Sequence, residues 1–312
     1  MDITESQVEE ICKKCSYDFI SFQLLRAGAF NVNYLLETKQ GKFVLRIENS
    51  TQFQNYKKRE YEILKSLNGK FGPKVYFFDD SKKIVSTDYL IEEFIDFGVH
   101  PPAKASDEFI ETMGKWYRRL HRIKTKIDES SYDIKHSFYY YYEKYCKNKQ
   151  VLEKECHEVI EKLFEKSSKI IEKNNVIFSR RKYHSLLHGD PFRFNIFYSE
   201  NLVKLVDWEF SHYQIREREL ASFVWYYVQD EKRKLAFLKH AGYPLTDFGR
   251  KQFETVYIIW CIDMLVWRVE RLRMIKEGKV ERILTDSDFE EVIDGMRDDI
   301  QKFEIALKNP LL

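Results

Sequence analysis

The segment His188-Gly189-Asp190-Pro191-Phe192-Arg193-Phe194-Asn195, with its sequel Leu205-Val206-Asp207-Trp208-Glu209, constrains this chain more than any other stretch. An Asp is followed five positions later by an Asn. Ile196-Phe197-Tyr198 and Leu202-Val203-Lys204-Leu205-Val206 read as two strands around a Ser199-Glu200-Asn201 turn. That apolar hairpin delivers a second Asp, Asp207, at the end of a strand. Phosphoryl transfer needs such a set. One carboxylate orients the attacking hydroxyl and accepts its proton. An amide oxygen and another carboxylate, both hard oxygen ligands, hold the Mg²⁺ ions that bridge nucleotide phosphates. On this reading Asp190 is the candidate base, and Asn195 and Asp207 are the candidate metal ligands. Asp-x-x-x-x-Asn alone arises by chance, and such an Asp can simply cap a turn. The hairpin, the position of Asp207 and the upstream half of the chain raise the pattern above that background.

The chain of 312 residues is 44% hydrophobic and 33% charged, enough for a sizeable core and two domains or lobes. A net charge of +2 and a pI near 8.1 give no argument for nucleic acid or an anionic membrane. No apolar run approaches the length of a spanning helix, and Met1-Asp2-Ile3-Thr4-Glu5 is no signal peptide, so a cytoplasmic protein is expected. Five cysteines, an odd count, fit a reducing compartment. Cys12-Lys13-Lys14-Cys15 has no second CxxC or HxxxH partner, so the pair reads as core positions one helical turn apart rather than half a zinc site.

A helix from Glu5 to Lys14 precedes three predicted strands, Phe19 to Arg26, Asn33 to Thr38 and Lys42 to Ile47, with turns at Gly28 and Lys39-Gln40-Gly41. This is an antiparallel meander. Arg46 lies inside the apolar run Phe43-Val44-Leu45-Arg46-Ile47, where a cation requires a partner. Glu60, on a helix from Gln54 to Leu67, is the expected partner; Glu62 lies on another face and is the alternative. Strands follow at Val75-Tyr76 and at Tyr89-Leu90-Ile91-Glu92-Glu93-Phe94-Ile95. From Ser106 the pattern turns helical, with helices expected near Ser137 to Tyr145, Val151 to Lys173, from Gln214, Phe253 to Met274 and Phe289 to Leu307.

The string His-Gly-Asp-x-x-x-x-Asn followed by Val206-Asp207-Trp208 resembles the signature of the aminoglycoside phosphotransferase and choline kinase superfamily, and the resemblance runs from about Ala27 to about Trp267. It implies an α+β, bilobal, protein-kinase-like fold. A small antiparallel-sheet lobe, residues 1–95, would bind the nucleotide, and a larger, mostly helical lobe, residues 96–312, would carry catalysis and the acceptor. It also implies ATP or GTP, with Mg²⁺. The turn from Ala27 to Asn33, with Gly28 and Asn31, lies where kinases cover the phosphates. Val44-Leu45-Arg46-Ile47 is similar to the string whose Arg touches the phosphates, and Arg59-Glu60 to the family's Arg-Glu helix. Tyr89 to Ile95 resembles the hinge, with Glu92 and Phe94 as cofactor-binding candidates through their backbone. His121 and His188 would be structural. Glu219 stands where the family has an Asp that braces the catalytic loop.

The acceptor is the less determined part. Val206-Asp207-Trp208-Glu209-Phe210-Ser211-His212-Tyr213 is similar to a choline kinase string, and Trp225, Trp260 and Trp267 stand where that family keeps tryptophans. Glu209 and these three tryptophans are acceptor candidates for a choline- or ethanolamine-like amino alcohol, bound by cation–π attraction. An aromatic stripe at helical spacing also describes a core. The alternative acceptor is a sugar, nucleoside or aminoglycoside hydroxyl, with Glu290, Glu291, Asp294, Asp298 and Asp299 as a source of negative charge. A catalytically dead binding protein needs none of Asp190, Asn195 and Asp207, and a protein kinase needs Asp-Phe-Gly and Ala-Pro-Glu segments that this chain lacks.

Overall fold

The first helix, α1 (Glu5–Lys14), opens with a reciprocal cap: Thr4 Oγ1 accepts from the Gln7 N–H, and Gln7 Oε1 accepts from the Thr4 N–H. The computed structural model describes residues 3–27, 31–48, 56–102, 104–124, 133–175, 184–199, 202–228, 230–278 and 289–309. They form two compact units. The first comprises Met1–Lys104, Thr125–Ile127 and His188–His212; the second comprises Ala105–Lys124, Asp128–Leu187 and Tyr213–Leu312.

In the first unit, β1 (Phe19–Ala27), β2 (Asn31–Thr38), β3 (Gly41–Glu48), β4 (Val75–Asp79) and β5 (Tyr89–Glu93) make one antiparallel sheet in the order β1-β2-β3-β5-β4. The meander is as the alternation predicts. In β3, Phe43, Leu45 and Ile47 face a core that also takes Val8, Ile11 and Cys12 of α1. Burial pushes the Cys12 and Cys15 thiols up to about 11 and about 12, so this pair is packing rather than a reactive or metal site. The period of two sends Arg46 to the opposite face, under α2 (Tyr56–Leu67).

The hairpin β7 (Ile196–Ser199) and β8 (Leu202–Leu205) forms in the register Ile196 opposite Leu205 and Tyr198 opposite Val203. It belongs to the first unit, together with residues 1–104. The reason is local bonding. The Leu205 N–H donates to the Phe71 carbonyl at 2.9 Å, Val99 and Tyr198 exchange backbone bonds at 3.0 and 3.1 Å, and Lys204 Nζ sits 2.6 Å from Glu93 Oε2.

The second unit is helical. Its elements are α3 (Asp107–Leu120), α4 (Ile134–Asn148), α5 (Lys154–Asn174), α6 (Arg216–Tyr227), α7 (Glu231–His240), α8 (Asp247–Lys276) and α9 (Phe289–Leu307). A short strand pair, β6 (His184–Leu187) with β9 (His212–Ile215), stands before α6, so the stretch from Gln214 enters its helix two residues later than the sequence suggests. Phe109, Tyr117, Phe223 and Phe237 form an aromatic core with centroids 4.4–6.0 Å apart. Among the described residues no helix is long and apolar enough to cross a membrane. The fold is kinase-like: an antiparallel sheet in the N-terminal region and a helical C-terminal part.

Candidate active site

The loop that carries Asp190 is shaped by its neighbours. His188 is fully buried; its Nε2 lies 2.9 Å from the Val206 carbonyl, and its Nδ1 accepts from the Asp190 N–H at 3.2 Å. Those two contacts tie the start of the loop to the residue before Asp207. Gly189 has φ +92, and a Cβ there would meet the Phe210 carbonyl oxygen at 2.5 Å, so conformation and space both demand glycine. A single 3₁₀ turn, Arg193–Asn195, brings Asn195 back, and its Nδ2 donates to Asp190 Oδ2 at 2.9 Å. The Asn195 amide oxygen takes no part in that bond. Asp207 sits at φ +69, ψ 61, a left-handed conformation that Asp tolerates better than most residues.

Arg46 is the centre of a buried ionic cluster. Its Nη1 lies 3.0 Å from Glu60 Oε1 and 3.6 Å from Glu92 Oε1, and its Nη2 lies 2.7 Å from Asp207 Oδ1. Arg46, Glu60 and Glu92 are all 3% exposed or less, so these pairs escape solvent screening. Glu60 is therefore the partner of Arg46; Glu62 is exposed. Glu60 does more than predicted. Its Oε1 also accepts the Trp208 N–H at 3.1 Å, and its Oε2 takes Lys57 Nζ at 2.9 Å. Glu209 accepts from Asn31 Nδ2, and its carbonyl accepts from Arg59 at 3.4 Å.

Two cations, Arg46 and Lys57, thus face four carboxylates, Glu60, Glu92, Asp207 and Glu209, which leaves two negative charges unmatched. The protein answers by protonation. Burial, and then the neighbouring Glu60 and Asp207, outweigh Arg46 and push Glu92 up to about 7. Burial and the adjacent Asp207 carboxylate push Glu209 up to about 8. Burial also opposes ionisation of Asp207, but the Arg46 guanidinium beside it holds its carboxyl below the ordinary range. Among the described residues, Arg46 Nε, Glu92 Oε2 and Asn31 Oδ1 are buried without a hydrogen-bond partner. Orphaned polar atoms beside an ionised carboxylate suit a divalent cation and a ligand with both donors and acceptors. No group of three or more His, Cys, Asp or Glu among the described residues forms a metal cage, and Mg²⁺ does not require one.

A family model, the APH phosphotransferase enzyme family, matches residues 21–252. The chain belongs to that family. No curated protein matches it in sequence. Solved structures show the same fold at low identity. The spectinomycin phosphotransferase APH(9)-Ia, in complex with ADP and spectinomycin, superposes with TM-score 0.69 at 14% identity, covering 100% of both chains. A choline kinase, LicA from Streptococcus pneumoniae, gives 0.65 at 16%, covering 97% of this chain and 99% of its own. The GDP complex of aminoglycoside 2′-phosphotransferase-IIIa gives 0.69 at 13%, covering 95% and 98%.

Other candidates in this phosphotransferase-family chain fall differently. Gly28 lies outside the described residues; Asn31 is the first residue of β2. Glu92 lies inside β5, flanked by Val44 of β3 and Val75 of β4, with its side chain 3.6 Å from Arg46. Phe94 follows that strand, half-buried. Lys57 and the acidic role of Glu92 escaped sequence reasoning. The signal for Lys57 was its position three residues before Glu60 on one helix face. In the helical unit, Glu219 is buried with Oε2 3.6 Å from His121 Nε2. Trp225 and Trp260 are buried, whereas Trp267 is 41% exposed. Each carries a basic side chain of the protein on its ring: Lys302 at 4.6 Å from Trp225, Arg218 at 5.8 Å from Trp260 and Arg268 at 5.3 Å from Trp267.

Proposed function

We propose that the chain is a nucleotide- and Mg²⁺-dependent kinase that moves the γ-phosphoryl group of ATP or GTP to a hydroxyl of a small molecule. The observation that carries this reading is the Asn195–Asp190 bond within a loop that His188 ties to the strand end before Asp207. Asn195 holds Asp190 through Oδ2, and the Asp190 carboxylate would accept the proton of the acceptor hydroxyl. Asn195 Oδ1 and Asp207 are the hard oxygen atoms that would hold Mg²⁺. Bound there, Mg²⁺ supplies charge neutralisation at the nucleotide phosphates. Arg46 offers its guanidinium to the phosphates while Glu60 and Glu92 keep it oriented. Asn31 and Glu209 join the start of β2, next to the proposed phosphate-covering turn, to the segment after Asp207. The family match and neighbours that include ADP and GDP complexes support nucleotide use.

For the acceptor, the ring contacts favour the second reading, a sugar, nucleoside or aminoglycoside hydroxyl, over a choline-like amino alcohol. A tryptophan face occupied by Lys302 or Arg218 repels a quaternary ammonium rather than attracting it.

The test is Asp190→Asn. Transfer should fall on the order of 10² to 10⁴-fold, the usual contribution of a positioned base, while Mg-ADP binding persists. Wild-type turnover in this variant would sink the assignment of Asp190.

A further inference from the structure

We infer that Lys57 is a positioning residue for the metal–nucleotide site, an inference that rests on the phosphotransferase reading. Lys57 is 2% exposed, a rare state for a lysine, and its Nζ lies 2.9 Å from Glu60 Oε2. It stands in the first turn of α2, together with Lys58 and Arg59, and no acidic residue accompanies them there. The positive end of the helix dipole disfavours cations at that place, so helix stability does not explain a buried one. Its contact does. Glu60 divides its two oxygens: Oε2 goes to Lys57, and Oε1 is shared between Arg46 Nη1 and the Trp208 N–H. By occupying Oε2, Lys57 fixes the rotation of the carboxylate and aims Oε1 at both partners. One partner is the cation proposed to meet phosphate. The other is the peptide N–H directly after Asp207, the proposed metal ligand. Lys57 also supplies half of the positive charge in the cluster. Without it, four carboxylates face one guanidinium, and Arg46 is drawn further into neutralising its own neighbours.

The experiment compares wild type, Lys57→Met, Lys57→Gln and Lys57→Arg by calorimetric titration with ADP across a series of Mg²⁺ concentrations, with circular dichroism as a fold control. The turnover assay uses ATP and any acceptor found for wild type. In the folded neutral variants, the Mg²⁺ concentration for half-maximal ADP binding should rise about tenfold or more, with KM for ATP rising alongside it. Lys57→Arg should restore both to within about threefold. Neutral variants that fold and keep the wild-type Mg²⁺ dependence, with only a lower Tm, would overturn the inference, as would failure of both to fold, which marks a purely structural lysine. Absence of Mg²⁺-dependent ADP binding in wild type would overturn the phosphotransferase reading as well.

Discussion

At the scale of single residues, Arg46 shows why side-chain shape matters as much as charge. Its two terminal nitrogens serve different partners, Nη1 with Glu60 and Nη2 with Asp207. A lysine offers one nitrogen on a flexible stem and cannot span both. Arg46→Lys keeps the charge but should leave either Glu60 or Asp207 short of a partner. The expected cost is about 1–3 kcal/mol of stability, the penalty of an unmet buried polar group, read in urea unfolding. KM for ATP should rise with it. A variant with wild-type stability and KM would show that the fork is dispensable. The histidine beside Asp190 makes a parallel point. His188 bonds the Val206 carbonyl through one ring nitrogen and the Asp190 N–H through the other, so a single side chain shapes the loop at both ends.

At the scale of elements, Asp79 shows how α1 is fastened to the sheet. This carboxylate closes β4, is 5% exposed, and accepts from Lys14 of α1, from the Tyr89 hydroxyl of β5 at 2.9 Å and from the Ser81 N–H at 2.8 Å. Burial works against its ionisation, but the Lys14 ammonium and the Ser81 and Tyr89 donors hold it well below the usual carboxylate range. A depressed carboxyl pKa stabilises the folded state fully above the unfolded pKa near 4, and that stability is lost as pH falls toward the folded value. Asp79→Asn should therefore lower Tm at pH 7 by an amount equivalent to about 1–3 kcal/mol and make Tm less sensitive to pH below about 4. An acid limb as steep as that of wild type would assign acid sensitivity to other carboxylates. Elements like these differ in how far the sequence reveals them. The meander, the hairpin and the Arg46–Glu60 pair were legible, because period-two burial and a cation in an apolar strand leave local marks. The pair β6 and β9 was not, since each strand has only four residues and the two lie far apart in sequence. Helix α7 was hidden by its charged run Glu231-Lys232-Arg233-Lys234, which buries Lys234 against Glu254 at 2.6 Å instead of an apolar stripe. The side-chain contact of Glu92 with Arg46 left no mark in the sequence, because only strand order brings β5 beside β3.

At the scale of the whole molecule, the tryptophans of the helical unit separate the two proposed acceptor classes. Trp225 and Trp267 flank Trp260 in this comparison because their burial differs: Trp225 is 4% exposed, Trp260 9% and Trp267 41%. Two of the three cations over the rings are themselves anchored. Arg218 lies 3.4 Å from Asp263, which also accepts from the Tyr141 hydroxyl at 2.7 Å, and Arg268 lies 3.1 Å from Asp299. Anchored guanidinium groups do not yield a ring face cheaply, because leaving would take the cation from the buried Asp299 or the half-buried Asp263. Trp225→Leu and Trp260→Leu should therefore behave as core substitutions and lower Tm by several degrees, as loss of buried aromatic volume does. Trp267→Leu should leave Tm nearly unchanged. None of the three should weaken choline binding in calorimetry, because wild type is expected to bind choline no better than it binds a neutral polyol such as myo-inositol. The opposite outcome is concrete: wild type that binds choline selectively, and a leucine variant that loses that binding several-fold at unchanged Tm, would mean the basic side chains move aside and the rings form a cation box. Measuring Tm and both ligand affinities on the same four proteins separates a packing role from a recognition role.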